Sequence, residues 1–292
     1  MVGAVGATNV SITGGGLLDG QGWHFWALKD ASVHAPGTLK CSRPHLVEFE
    51  HSADVSLTGL TLQNSPFWTT HFIYSRRIRV SELTILAPAT RGNTDGINPD
   101  SSTDVIIENV YISNGDDGIA IKSGLNAAGI AVGLPSANIF IRNVTTDGRG
   151  GIAIGSEMSG GVKNVTIQDV RLLGQRGIHM KTTRGRGGYI ENITMINATA
   201  RAGIQLWSTY GATVKKKKRT GAGLRWGTSR WSTRAARARS AAGGCLQPTA
   251  TPTRSSSRTH AGTTARPCRR RRRPRSSSSR RALQLAPWLK SG

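Results

Sequence analysis

Residues 214–292 contain no aspartate or glutamate, and from residue 215 onward there is no isoleucine, valine, phenylalanine, tyrosine or asparagine. A segment so poor in large apolar residues buries too little apolar area to offset chain entropy, so disorder is expected there. Cysteine is scarce too. Cys41, Cys245 and Cys268 provide no disulfide framework and no C-x-x-C metal spacing. No apolar run approaches the length of a membrane span, which excludes a transmembrane helix. The opening "MVGAVGA" is short and lacks a basic start, so no signal peptide is visible. No segment carries ten residues of convincing amphipathic helix, which argues against βαβ units.

The net charge of +23 is concentrated at one end. Residues 1–213 hold 17 lysines and arginines against 16 acids, and 214–292 hold the other 22 basic residues. The domain reading follows: a folded part over 1–213 and a low-complexity basic tail over 214–292. "KKKKR" and "CRRRRRPRSSSSRR" would attract any polyanion, with strong salt dependence. The tail has no interleaved aromatics spaced for base stacking and no recognisable module, so nucleic acid is expected to bind it only non-specifically.

The first part repeats. "NVSI" begins at 9, "DVSL" at 54, "RIRV" at 77, "DVII" at 104, "NIFI" at 138, "NVTI" at 164 and "NITM" at 192. Each is a polar or basic residue followed by apolar–x–apolar, which is strand period. After the first gap the starts lie 23 to 34 residues apart, the size of one solenoid coil. The expected fold is all-β, a parallel β-helix whose stacked coils bury a continuous apolar interior. The gap from 9 to 54 reads as an insertion with a short helix. Asn9, Asn143, Asn164, Asn192 and Asn197 each open an N-x-S/T sequon. A turn or side-chain ladder is the better reading, because asparagine before a β-branched residue creates that pattern by default.

Acids fall in two Gly-flanked turns, "NTDGINPD" at 93–100 and "NGDDGIAIKSG" at 114–124. Taken alone, turn chemistry explains them. In a β-helix, however, rungs lie roughly 4.8 Å apart. Asp95 and Asp116, 21 positions apart, would then sit one rung apart on the same face. Two carboxylates about 5 Å apart at an effective dielectric near 20 repel by roughly 3 kcal/mol, enough to keep one protonated at mildly acidic pH. One acid and one base is what inverting glycoside hydrolysis requires. Asp117 can join them only if Gly115 and Gly118 bend the backbone, since adjacent strand residues face opposite ways. Lys122 either neutralises this site or is a solvated strand end. Asp100 and Asp104 offer too few ligands for calcium, so no metal is expected. His71 is expected to bond within a loop. Trp23, Trp26 and Trp68 fit either a sugar cleft or core packing.

These motifs, with "GGGLLDGQG", "QNSPFWTTHF", "GGIAIGSEMSGGVKNVTI" and "GIHMKTTRGRGGYIENITM", resemble the polygalacturonases, glycoside hydrolase family 28, and most of all the plant members. The resemblance runs from about residue 7 to about 211. It implies a right-handed parallel β-helix, no cofactor, and hydrolysis of α-1,4-linked galacturonate with inversion. It implies Asp116 as general acid, Asp95 and Asp117 as the pair that activates water, and Asn93 as a shaper of the site. It implies that Lys181 pairs with a substrate carboxylate and that His179 stands where the family carries arginine. The slot of the family's histidine holds Gly150, with Arg149 beside it. The implied partner is pectin or polygalacturonate, bound by a monomer without a membrane, and the implied location is the secreted or cell-wall compartment. The break after "GIQLWSTYGA" suggests a shifted reading frame, and the late start a missing first coil. Two other readings compete: a β-helix that grips pectate without cutting it, and a polyanion binder acting through its tail.

Overall fold

The computed structural model describes residues 1–34, 42–210, 225–226 and 230–232. The three cysteines and, apart from two short strands, the basic tail lie outside the described residues, and so does the disorder expected of that tail.

Two parallel sheets run along the solenoid. The first has eight strands, one per coil: Val2–Val5, Val47–Glu50, Thr70–Ile73, Ile97–Asp100, Ile119–Ile121, Ile152–Ile154, Ile178–Lys181 and Ile204–Trp207. The second carries the repeat read from the sequence, through Thr8–Thr13, Ala53–Thr58, Arg76–Ser81, Thr103–Asn114, Ser136–Gly148, Val162–Leu172 and Tyr189–Ala200. The 9–54 gap holds the short strand Leu17–Asp19 and the helix Trp23–His34. No described helix is long and apolar enough to cross a membrane.

The apolar–x–apolar pattern stacks like on like. Val55, Ile78, Val105, Ile139, Val165 and Ile193 align rung over rung, and so do Leu57, Val80, Ile107, Ile141, Ile167 and Met195. All are buried. Each such side chain contributes about 1.5–3 kcal/mol of burial energy. Phe49 stacks on Phe72 with centroids 5.9 Å apart at the same interior.

The polar residue that opens each repeat has its own task. Asn9, Asp54, Arg77, Asp104, Asn138, Asn164 and Asn192 all have φ between 53° and 58°. The chain bulges there, and asparagine and aspartate tolerate that left-handed conformation best. Their side chains form the expected ladder. Asn138 donates to Asp104 at 2.9 Å, Asn164 to Asn138 at 3.0 Å and Asn192 to Asn164 at 2.8 Å. A second column joins Asn143 to Asn109 at 2.8 Å and Asn197 to Asp169 at 2.6 Å.

Candidate active site

The acidic turns stack as expected, with one change of register. Ile97 pairs with Ile119, and the Gly96 N–H donates to the Asp117 carbonyl at 3.0 Å. The rung neighbour of Asp95 is therefore Asp117, and Asp116 lies one residue further along. The offset is 22 where the sequence suggested 21, because the turn through Gly115 and Asp116 takes up an extra residue. Both flanking glycines are required by close approach. A Cβ on Gly115 would meet the Arg91 carbonyl oxygen at 2.2 Å, and one on Gly118 would meet Thr146 Cγ2 at 2.8 Å.

The two turns are tied to each other. The buried Asn114 amide donates to the Thr94 carbonyl at 2.8 Å and to the Asp117 carbonyl at 2.9 Å. The Gly115 N–H donates to Thr94 Oγ1 at 3.0 Å. The Asn93 N–H donates to Asp116 Oδ2 at 2.8 Å, and the Asn93 side-chain oxygen accepts from Lys29 and Arg43, each at 2.8 Å. Asn93 thus braces Asp116 through its backbone and anchors two cations through its side chain.

The three carboxyls differ in exposure and charge. Asp95 and Asp117 are buried, whereas Asp116 keeps a fifth of its side chain exposed. Burial, reinforced by the Asp117 and Asp116 charges against the pull of Lys122, pushes Asp95 up to about 7. Burial also works to raise Asp116, but the Asn93 N–H and the Arg176 guanidinium outweigh it and hold that group below the usual carboxylate range. In the free site, then, Asp95 is the proton holder and Asp116 is ionised.

Cations balance the cluster. Lys122 is buried, not a solvated strand end, with Nζ 3.5 Å from Asp95 and 3.1 Å from Glu157. Lys181 Nζ bonds Asp117 Oδ2 at 2.5 Å. Arg176 Nη1 reaches both acids, Asp116 at 2.6 Å and Asp117 at 3.0 Å. Extending the rung register two residues back from Ile119, Ile152 and Ile178 puts Asp117, Gly150 and Arg176 in one column. The side-chain-free Gly150 lies between Asp117 and Arg176. A Cβ on Gly150 would meet Asn114 Oδ1 at 2.5 Å and the Asp116 carbonyl oxygen at 3.0 Å, so a side chain there requires the packing around Asn114 to shift.

His179 shares the outward column with Lys181 but is closed off. It is buried beside Trp207, ring centroids 5.1 Å apart, and neither ring nitrogen has a hydrogen-bond partner. Desolvation lowers it to about 4, so the imidazole is neutral. His71 lies in a strand, not a loop. Its Nδ1 is 2.9 Å from Glu48 Oε1 and its Nε2 3.4 Å from Asp100 Oδ2. Trp26 is buried and donates to the Ser65 carbonyl at 3.2 Å, while Trp68 stacks on His45 and carries Lys122 Nζ 4.0 Å from its ring centre. Arg176 and Glu157 escaped the sequence reading. Arg176 had a signal, since it precedes its strand by the same two residues as Asp95 and Asp117 precede theirs. Glu157 had none.

Three carboxyls thus meet at two stacked turns of a parallel β-helix, and that solenoid is the class the fold defines. The sequence profile described as Glycosyl hydrolases family 28 matches residues 1–216, and the chain belongs to that family. It is 46% identical over 198 residues to a probable polygalacturonase of Vitis vinifera, covering 66% of this chain and 39% of that protein. It is 32% identical to an endo-polygalacturonase of Pectobacterium parmentieri, covering 68% of this chain and 49% of that one. Among solved structures, it is similar to a hyperthermoactive exopolygalacturonase from Thermotoga maritima, with a TM-score of 0.62, 30% identity and coverage of 71% and 55% of the two chains. It is also similar to the polygalacturonase from Erwinia carotovora, with a TM-score of 0.60, 29% identity and coverage of 77% and 59%. The chain spans less than half the length of these two curated relatives.

Proposed function

We propose that the chain hydrolyses α-1,4-galacturonosidic bonds of pectin or polygalacturonate by an inverting acid/base mechanism. The observation that carries this reading is the clustering of Asp95, Asp116 and Asp117 at two stacked turns, two of them buried and the third partly open to solvent. Asp116, the exposed carboxyl, is the group that meets the glycosidic oxygen. Asp95 and Asp117, behind it, activate water once the proton that Asp95 holds in the free site has passed to Asp116. Lys181 pairs with a substrate carboxylate when it leaves Asp117, the buried His179 does not reach the sugar, and Asn93 keeps Asp116 aimed. For Asp116 to donate a proton, the Arg176 guanidinium must let go of it, and a substrate carboxylate is a competing partner for that cation. Residues 1–213 form the catalytic unit, acting as a monomer on acidic polysaccharide in the secreted or cell-wall compartment, and the 214–292 tail takes no part.

Reducing-sugar release from polygalacturonate tests this. The full chain should release reducing ends, and Asp116→Asn should lower the rate by about a hundredfold or more. Equal rates for the two would end the assignment of Asp116. The bridging of both acids by Arg176 favours a second reading, a groove that binds pectate without cutting it. It predicts pectate retention and no reducing ends from the unmutated chain.

A further inference from the structure

We propose that His45, Glu48 and His71 form a binding site for a borderline divalent cation of the zinc and nickel class. The three side chains stand outside the acid cluster and have no part in the hydrolytic reading. Glu48 and His71 are rung partners on adjacent strands, and His45 lies three residues before Glu48. One ligand atom from each lies within 4.8 Å of the others. His45 Nδ1 and His71 Nδ1 both point at Glu48 Oε1, at 3.0 Å and 2.9 Å. Ligands about 2.1 Å from an ion and at right angles are about 3.0 Å apart, so these two edges already fit an octahedral corner and need open only a few tenths of an ångström for a tetrahedral one.

The surroundings orient the ligands as a metal site requires. Asp100 Oδ2 faces His71 Nε2 at 3.4 Å, the carboxylate–histidine pairing that fixes a ligating tautomer. His71 Nδ1 and Glu48 Oε1 lie 2.9 Å apart, and a cation entering between them replaces the proton they share. Trp68 stacks on His45 at 5.3 Å and Phe67 packs at 5.5 Å, which holds that imidazole in place. Lys122, over the Trp68 ring, is paired with the Glu157 carboxylate at 3.1 Å, which leaves the added charge tolerable. Glu48 remains about a third exposed, so water can complete the coordination shell. Two nitrogens and one carboxylate oxygen suit zinc, nickel or cobalt better than calcium or magnesium.

The test is calorimetric titration of zinc chloride into the untagged, chelator-stripped full chain, set beside His45→Phe and Glu48→Gln. Half-buried His45, next to Phe67 and Trp68, tolerates phenylalanine, so that variant keeps its fold, as far-ultraviolet circular dichroism will verify. One equivalent of zinc should bind the parent, with at least tenfold weaker binding in each variant. Cobalt(II) should give visible absorption bands in the parent that both variants lose. Asp100→Asn should weaken zinc at least severalfold with the three ligands intact. Zinc affinity unchanged by His45→Phe and Glu48→Gln, or a parent that takes up no equivalent beyond theirs, overturns the proposal.

Discussion

The two sheets solve the same stacking problem with opposite chemistry. On the second sheet, asparagines lie rung over rung and each amide donates to the one before it, as from Asn192 through Asn164 and Asn138 to Asp104. An amide carries donor and acceptor together, so a column of them is self-satisfying and can stay at the surface without help. On the first sheet the stacked groups are carboxylates, which carry only acceptors when ionised. They are stable side by side only because Lys122, Lys181 and Arg176 are threaded between them and Asp95 retains a proton. A neutral column is a structural element, whereas a charged column needs partners from distant coils and stays reactive.

That contrast can be broken from the charged side first. Lys122→Met should cost about 3–5 kcal/mol at neutral pH, since it leaves a buried acid pair uncompensated, and a urea midpoint reads the loss. The cost should shrink in acid, where Asp95 is protonated. The second test is the pH profile itself. The folded-state value of Asp95, about 7, is raised above its ordinary 3.8. Its contribution to stability is therefore present in acid and lost as pH rises through 7. Unfolding free energy should fall by up to about 1.4 kcal/mol per pH unit between about 5 and 7. Asp95→Asn should flatten that slope, and an unchanged slope would remove Asp95 as the proton holder. On the neutral side, Asn164→Ala should cost about 1–3 kcal/mol by chemical denaturation, combining a lost rung bond with a left-handed φ of 55°. Asn164→Gly keeps the backbone freedom and should cost about 1 kcal/mol or less, which separates the ladder from the bulge.

Much of this was legible in the residues. The alternation in "DVSL", "RIRV" and "DVII" is repeated burial in one column, so its period exposes the solenoid directly. The acids in "NTDG" and "NGDDG" mark their turns for the same reason. What the chain order hides is register and reach. Whether Asp95 faces Asp116 or Asp117 depends on one residue of slack in a turn. Arg176 meets Asp116 across 60 positions, and Lys181 meets Asp117 across 64, contacts that no local pattern encodes. No local pattern links His45 and Glu48 to His71, which the sequence places in a loop. Only the pairing of Val47–Glu50 with Thr70–Ile73 brings them together.

The bulge columns have one more consequence. Successive coils differ in length, 34 residues separating Asp104 from Asn138 but 26 separating Asn138 from Asn164, and yet the ladder does not slip. The longer coil holds the helix Asn126–Val132 outside the stack. Variation is thereby confined to the corners, where a segment can be gained, lost or exchanged while the load-carrying rows keep step. A lineage with such a spine can remodel its corners again and again without re-inventing the stacked rows.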